Sequence, residues 1–156
     1  MIHDILIDTR EQKPYDFEAD SLRLKLDTGD YSIMGLTDKV TVERKSLSDF
    51  LGCLFPHKKN KNGGWVRFEK ELIRMQEFDY KCIVIETTWK KIVGGKYGHS
   101  KAHPNSVMGK IMKITVDMGI PIYFVSDHTE GAKFVEKYLT RVESTIHIRG
   151  SNPEVS

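Results

Sequence analysis

Apolar positions along this chain change period several times, and each change marks an element. Ile2 to Ile7 is apolar and β-branched and ends at Asp8-Thr9-Arg10-Glu11, which predicts a first strand handing polar residues to a loop. Lys13-Pro14-Tyr15 interrupts the pattern, since proline disfavours a helical residue before it. Leu22, Leu24 and Leu26 alternate with Arg23 and Lys25, the period of two of a half-buried strand. Tyr31-Ser32-Ile33 follows the Thr28-Gly29 turn, and Gly35 to Lys39 closes a hairpin into Val40 to Arg44. An antiparallel meander is expected up to this point.

Helical spacing then takes over. Ser46 reads as an N-cap, with Leu47, Phe50, Leu51 and Leu54 on one face and Pro56 as the stop. Residues 57–64 are basic, amide-rich and glycine-containing, the composition of a surface loop. Trp65, Phe68, Leu72 and Met75 form the apolar face of a second helix, with Arg67, Glu71 and Arg74 as a polar stripe. Lys81 to Ile85 is a compact strand, and Trp89 to Val93 one short helical turn. Pro104 opens a helix carrying Val107, Ile111, Ile114 and Met118, closed by Gly119. Ile120 to Val125 is short and apolar enough for a strand buried on both faces. Asp127-His128-Thr129-Glu130 has capping-box spacing before a last helix with Phe134, Val135, Tyr138, Leu139 and Val142 inward. Strands first, then helix and strand in alternation, predict an α/β domain: a mixed central β-sheet flanked by α-helices. One domain is expected over residues 1–148, with 149–156 a flexible C-terminal tail.

Composition narrows the class. Hydrophobic residues make up 39% and charged residues 29% of 156, which suits one ordered domain rather than a disordered chain. No apolar run approaches the roughly 20 residues of a membrane span, and Met1-Ile2-His3-Asp4 lacks a secretory pattern. A soluble intracellular protein with no membrane partner is expected. Cys53 and Cys82 lack CxxC spacing and read as two buried thiols. A net charge of +2 says little about partners, but Lys58, Lys59, Lys61 and Arg67 cluster tightly.

The candidate chemistry centres on Val42-Glu43-Arg44-Lys45. Side chains at i and i+2 of a strand share a face with Cα atoms about 6.6 Å apart, so Glu43 and Lys45 lie together and Arg44 points away. A surface ion pair worth about 0–1 kcal/mol is one reading. Asp30 upstream and Asp49 downstream support another, in which carboxylates and a lysine converge to hold a divalent metal and an attacking water. His99 and His103 have the i, i+4 spacing of some zinc sites, but two ordinary loop histidines, or His103 as a helix cap, fit as well. Gly94-Gly95-Lys96-Tyr97-Gly98 lacks the GK[ST] ending of a nucleotide-binding loop.

Gly29-Asp30 followed by Glu43-Arg44-Lys45-Ser46-Leu47-Ser48-Asp49 resembles the GD…ERKxxxD signature of the XPF-type structure-specific nucleases. Ile7-Asp8-Thr9-Arg10-Glu11 resembles that family's opening strand end, Phe50 to Leu54 its next helix, Arg67 to Leu72 its arginine-led helix, and Ile83 to Glu86 its next core strand. His103-Pro104-Asn105-Ser106-Val107 is similar to single-domain bacterial and phage members. The likeness runs to about residue 143.

The resemblance implies a restriction-endonuclease-like core and divalent-metal cleavage of DNA near junctions or flaps, in repair, recombination or phage genome processing. It implies Asp30 and Glu43 as ligands of Mg2+ or Mn2+ and Lys45 beside the attacked phosphate. Arg10 and Arg44 become phosphate-contact candidates, with a carboxylate-bracing role for Arg44 equally open, and Asp49 a supporting partner. Asp8 is either a site residue or a structural cap. Lys58, Lys59 and Lys61 would track the DNA backbone, joined by Arg67 unless it only pairs with Glu71. Trp65 would stack on a base or sit in the core. A cytoplasmic, nucleoid-associated location follows. Larger members carry C-terminal helix-hairpin-helix modules for which this sequence has no room, so a partner protein bearing them is one expectation. Two alternatives stay open: a non-cleaving junction scaffold, or a subunit active only in a complex. A homodimer through the last helices would use Ile111, Met112, Ile114, Phe134 and Tyr138, which a monomer could equally bury.

Overall fold

A computed structural model of the chain describes residues 1–98 and 100–151. The described residues form a six-stranded sheet in the order β2-β1-β3-β4-β5-β6. The strands are β1 (Ile5–Ile7), β2 (Ser21–Arg23), β3 (Tyr31–Ile33), β4 (Val40–Ser46), β5 (Tyr80–Glu86) and β6 (Ile122–Val125). β3 runs antiparallel to β1 and β4, while β4, β5 and β6 are mutually parallel. Helices α1 (Leu47–Cys53), α2 (Trp65–Met75), α3 (Trp89–Gly94), α4 (Pro104–Met112) and α5 (His128–Ser151) complete the fold, with a π-helical turn, Lys113–Asp117, after α4.

Alternation along β4 and β5 divides the core into two layers. Val40, Val42, Cys82 and Val84 face α5 and meet Val135, Leu139 and Val142. Ile83 and Ile85 face the other way, onto Phe50, Phe68, Leu72, Ile92, Val107 and Ile114. Burying both faces of a parallel pair is what makes β5 an almost unbroken apolar run.

The meander expectation fails at one point. β2 pairs with β1 in parallel, because residues 8–20 carry the chain back to the start of β1 before it resumes. β2 is also not half-buried. It is a three-residue edge strand, exposed throughout, with Leu22 and Leu24 in solvent and only Leu26 in the core. β6, expected to be buried on both faces, sits at the opposite edge with Tyr123 exposed. The expected boundary at residue 149 falls inside α5, which continues to Ser151; residues 152–156 lie outside the described residues. Ile111 and Ile114 belong to the core on one side of the sheet, while Phe134 and Tyr138 pack against the other, so the apolar residues of the last helices form no single patch. Cys82 is buried and Cys53 only half-buried. No described helix is long and apolar enough to cross a membrane.

Candidate active site

One end of the sheet collects the polar residues. There β1 finishes, β3 begins, and β4 and β5 finish side by side, with Ser46 paired to Glu86. The Ser46 side chain then caps α1 by accepting the Asp49 N–H at 3.1 Å, as the sequence predicts. At the other junction Gly29 turns the chain at φ +80°, where a Cβ would lie 2.0 Å from Thr41 Oγ1. Only glycine fits, and that close approach delivers Asp30 to β4. The Asp30 N–H donates to Val42 O and the Asp30 Oδ2 accepts the Arg44 N–H, both at 2.8 Å.

Arg10, Asp30, Glu43, Arg44, Lys45 and Asp49 all line one open cleft of about 440 Å³ at this end. Glu43 is 5% exposed and lines the cleft beside Asp30. Burial, then the Glu43 charge, pushes the Asp30 carboxyl up to about 9, against the opposing pull of the Arg44 amide and Lys45. Burial disfavours the Lys45 ammonium, but Glu43, Asp30 and Asp49 outweigh it and hold its pKa above the usual value. Its Nζ lies 5.0 Å from the centre of the Phe68 ring, on the Glu43 face of the sheet.

Arg44 takes the opposite face, as strand alternation predicts. It does not reach Asp49. Its Nε lies 3.7 Å from Glu11 and its Nη1 3.6 Å from Glu86. Asp8 proves to be a brace: its carboxylate accepts Leu26 N–H at 2.8 Å and Arg10 Nε–H at 2.9 Å. Burial raises the Asp8 pKa, but these donors win and leave it lowered. Arg10, pinned this way, projects from the rim with a largely exposed side chain.

The basic loop is separate. Lys58, Lys59, Lys61 and Arg67 are exposed, and none lines the cleft. The loop is closed at its base by the Pro56–Gly64 bridge. Trp65 is half-buried, edge-on to Phe68, with Lys110 Nζ 3.8 Å from its ring centre. His103 caps α4 by accepting Asn105 N–H at 3.2 Å, and His99 lies outside the described residues. Glu11 and Glu86, which flank Arg44, were not singled out from the sequence. A carboxylate ending an apolar strand beside Ser46 was the available signal for Glu86.

The paired carboxylates suit a hard divalent cation. Two like charges share a site that favours only one, and a cation would relieve the second. Among the described residues no three His, Cys, Asp or Glu side chains are grouped closely enough to hold a metal by themselves. The described residues thus offer no all-protein zinc cage but suit magnesium, which is usually held by one or two carboxylates plus waters and substrate phosphate.

Comparison with known proteins identifies the family and the fold. The family model described as the ERCC4 domain matches residues 7–138. A Methanocaldococcus jannaschii protein, provisionally described as an ATP-dependent RNA helicase, is 26% identical over 149 residues, which are 93% of this chain and 17% of that protein. XPF from Aeropyrum pernix, solved in complex with DNA, superposes with a TM-score of 0.67 at 20% identity, covering 92% of this chain and 66% of the other. XPF from the same organism in a second structure gives a TM-score of 0.66 at 19% identity, covering 89% and 61%. The sheet and its flanking helices are thus the restriction-endonuclease-like fold of the XPF nuclease. The chain spans about a sixth of the helicase-like relative and less than two thirds of either solved chain.

Proposed function

The chain belongs to the ERCC4-domain family, and from that premise we propose that it is a divalent-metal-dependent DNA endonuclease acting on branched or flap DNA. The observation that carries this reading is the Asp30–Glu43 pair, a half-buried and a buried carboxylate that line one solvent-open cleft together with the half-buried Lys45. In this reading Asp30 and Glu43 hold the metal, Lys45 binds the attacked phosphate, and Arg10 and Arg44 offer guanidinium groups to neighbouring phosphates. Asp49 supports Lys45 from the first turn of α1. When bound, a Mg2+ or Mn2+ ion lowers the pKa of its water toward neutrality and neutralises phosphate charge. Lys58, Lys59, Lys61 and Arg67 add sequence-independent affinity from outside the cleft.

The relative of which this chain matches only 17% supports a second arrangement, a nuclease module that works together with helicase parts. Cleavage of labelled flap, fork, duplex and single-stranded DNA, with Mg2+, Mn2+ or EDTA, tests both. Metal-dependent cutting of branched DNA by the isolated chain, lost in Lys45→Ala, is expected. Tight binding without cutting would overturn the enzyme reading in favour of a scaffold or a missing partner.

A further inference from the structure

The Arg44 side chain is only 6% exposed, yet no short hydrogen bond anchors it. Its Nε is buried without a hydrogen-bond partner, and Nη2 reaches Lys13 O only at 3.4 Å. What surrounds the guanidinium is Glu11 on one side, Glu86 on another, and the Tyr15 ring, whose centre is 5.7 Å from Cζ. With long contacts only, the direction in which Arg44 points is set by how firmly those walls stand.

Tyr15 is the firmest of them. Its hydroxyl donates to Glu86 Oε2 at 2.9 Å, fixing the carboxylate that faces Arg44. Its amide donates to the Tyr31 hydroxyl at 2.8 Å, and its ring stacks nearly parallel on Tyr31 at 5.3 Å. His128, at the start of α5, meets the same ring edge-on at 4.6 Å and contacts Lys13 O at 2.9 Å. Gly131 explains how the phenol fits. A Cβ there would lie 2.2 Å from the Tyr15 hydroxyl oxygen and 2.6 Å from its ring carbon. Glycine is a poorer helix former than alanine, but here it opens the notch through which the hydroxyl reaches Glu86.

We propose that Tyr15, seated against Gly131, is a positioning residue that orients Arg44 toward the cleft through Glu86. It does not line the cleft itself. This rests on the nuclease reading, so its test needs one readout that does not depend on cleavage.

That readout is the Nε–Hε NMR signal of Arg44, a buried group in the free protein, compared in wild type, Tyr15→Phe and Glu86→Gln. Tyr15→Phe keeps the ring and Glu86→Gln keeps the side-chain shape, so both are expected to fold, and both should move or broaden that signal. In cleavage assays Tyr15→Phe should lower kcat about tenfold, a misplacement effect, with KM for DNA unchanged. In an Arg44→Lys background the same substitution should change kcat little, because residues acting through one another are non-additive. An unmoved Arg44 signal, or an equal loss of kcat in both backgrounds, overturns the proposal. If wild type cuts no DNA, the nuclease reading falls instead, and the NMR comparison still decides whether Tyr15 sets Arg44.

Discussion

Asp30 and Asp8 are both shielded acidic residues a few ångströms apart in the fold, linked by a 2.8 Å bond from the Asp8 N–H to the Asp30 carbonyl. Their carboxylates have opposite environments. Asp8 is surrounded by donors, the Leu26 N–H and the Arg10 guanidinium, and its pKa is lowered. Asp30 has one backbone donor and a second carboxylate beside it, and its pKa is raised. The first pattern holds a structure together. The second crowds two carboxylates in a cleft and disfavours the charge on Asp30, where a cation is the missing partner. Burial alone therefore does not separate a brace from a site; the sign of the neighbours does.

The largest effect that could break this contrast is on cleavage. Glu43→Gln or Asp30→Asn should reduce metal-dependent cutting about a thousandfold or more, the scale of losing a principal electrostatic element of a site. Near wild-type rates in either variant would remove the pair from the chemistry. Metal binding itself comes next. Mg2+ at a hundredfold excess over its Kd should add about 2.7 kcal/mol of stability, or roughly 5–10 °C in melting temperature for a domain of this size. Asp30→Asn should abolish that shift, whereas Asp8→Asn should lower the baseline and leave the shift in place.

Sign distinguishes the two aspartates further. Asp8→Asn should cost about 2 kcal/mol, since it weakens charge-assisted bonds to the buried Leu26 N–H and to the Arg10 guanidinium. Asp30→Asn keeps an acceptor for the Arg44 N–H, removes a repulsion, and should stabilise the metal-free protein by about 1 kcal/mol. The pH dependence follows the same logic. A folded-state pKa raised to about 9 means that the folded protein keeps a proton the unfolded chain has already released. Metal-free stability from this pair is therefore full below the ordinary carboxylate range and is lost as pH rises toward 9. Urea titrations between pH 5 and 9, with EDTA or Mg2+, should show that decline in EDTA and its suppression by metal. A stability flat in pH under EDTA would contradict the pairing.

How legible this was depended on how local each feature is. The ERK strand, the Ser46 cap and the glycine before Asp30 lie within 21 residues and obey strand alternation and capping rules, so the face of Glu43 and Lys45 and the opposite face of Arg44 were readable. The partners of Arg44 were not, because Glu11 reaches it from the segment after β1 and Glu86 from the end of β5. Tyr15 and Gly131 meet over 116 residues, a contact that no period or motif encodes. β2 misled for a different reason: Leu22, Leu24 and Leu26 alternate correctly, but nothing in that alternation says that the strand is an uncovered edge. Loop basicity told a true but incomplete story, since Lys58, Lys59, Lys61 and Arg67 are exposed as composition suggested, while their distance from the cleft is a matter of tertiary placement.

The smallest effect sharpens the contrast at a site with no claim on catalysis. Glu143, on α5, is 6% exposed and accepts the Ile2 N–H at 2.7 Å, the His3 N–H at 3.0 Å and a 3.0 Å contact from His3 Nδ1. Burial raises its pKa, but these donors outweigh burial and leave it lowered. A lowered folded-state pKa gives stability that is present above the unfolded value near 4.5 and lost as pH falls through the folded one. Glu143→Gln should therefore cost about 1 kcal/mol at pH 7, and the gap from wild type should close as the solution is acidified below the ordinary glutamate range. Asp30→Asn should do the reverse, gaining stability at high pH and nothing at low pH. If both variants shift stability in the same direction across that range, the distinction between donor-satisfied and charge-crowded carboxylates fails as a guide to where this molecule does chemistry.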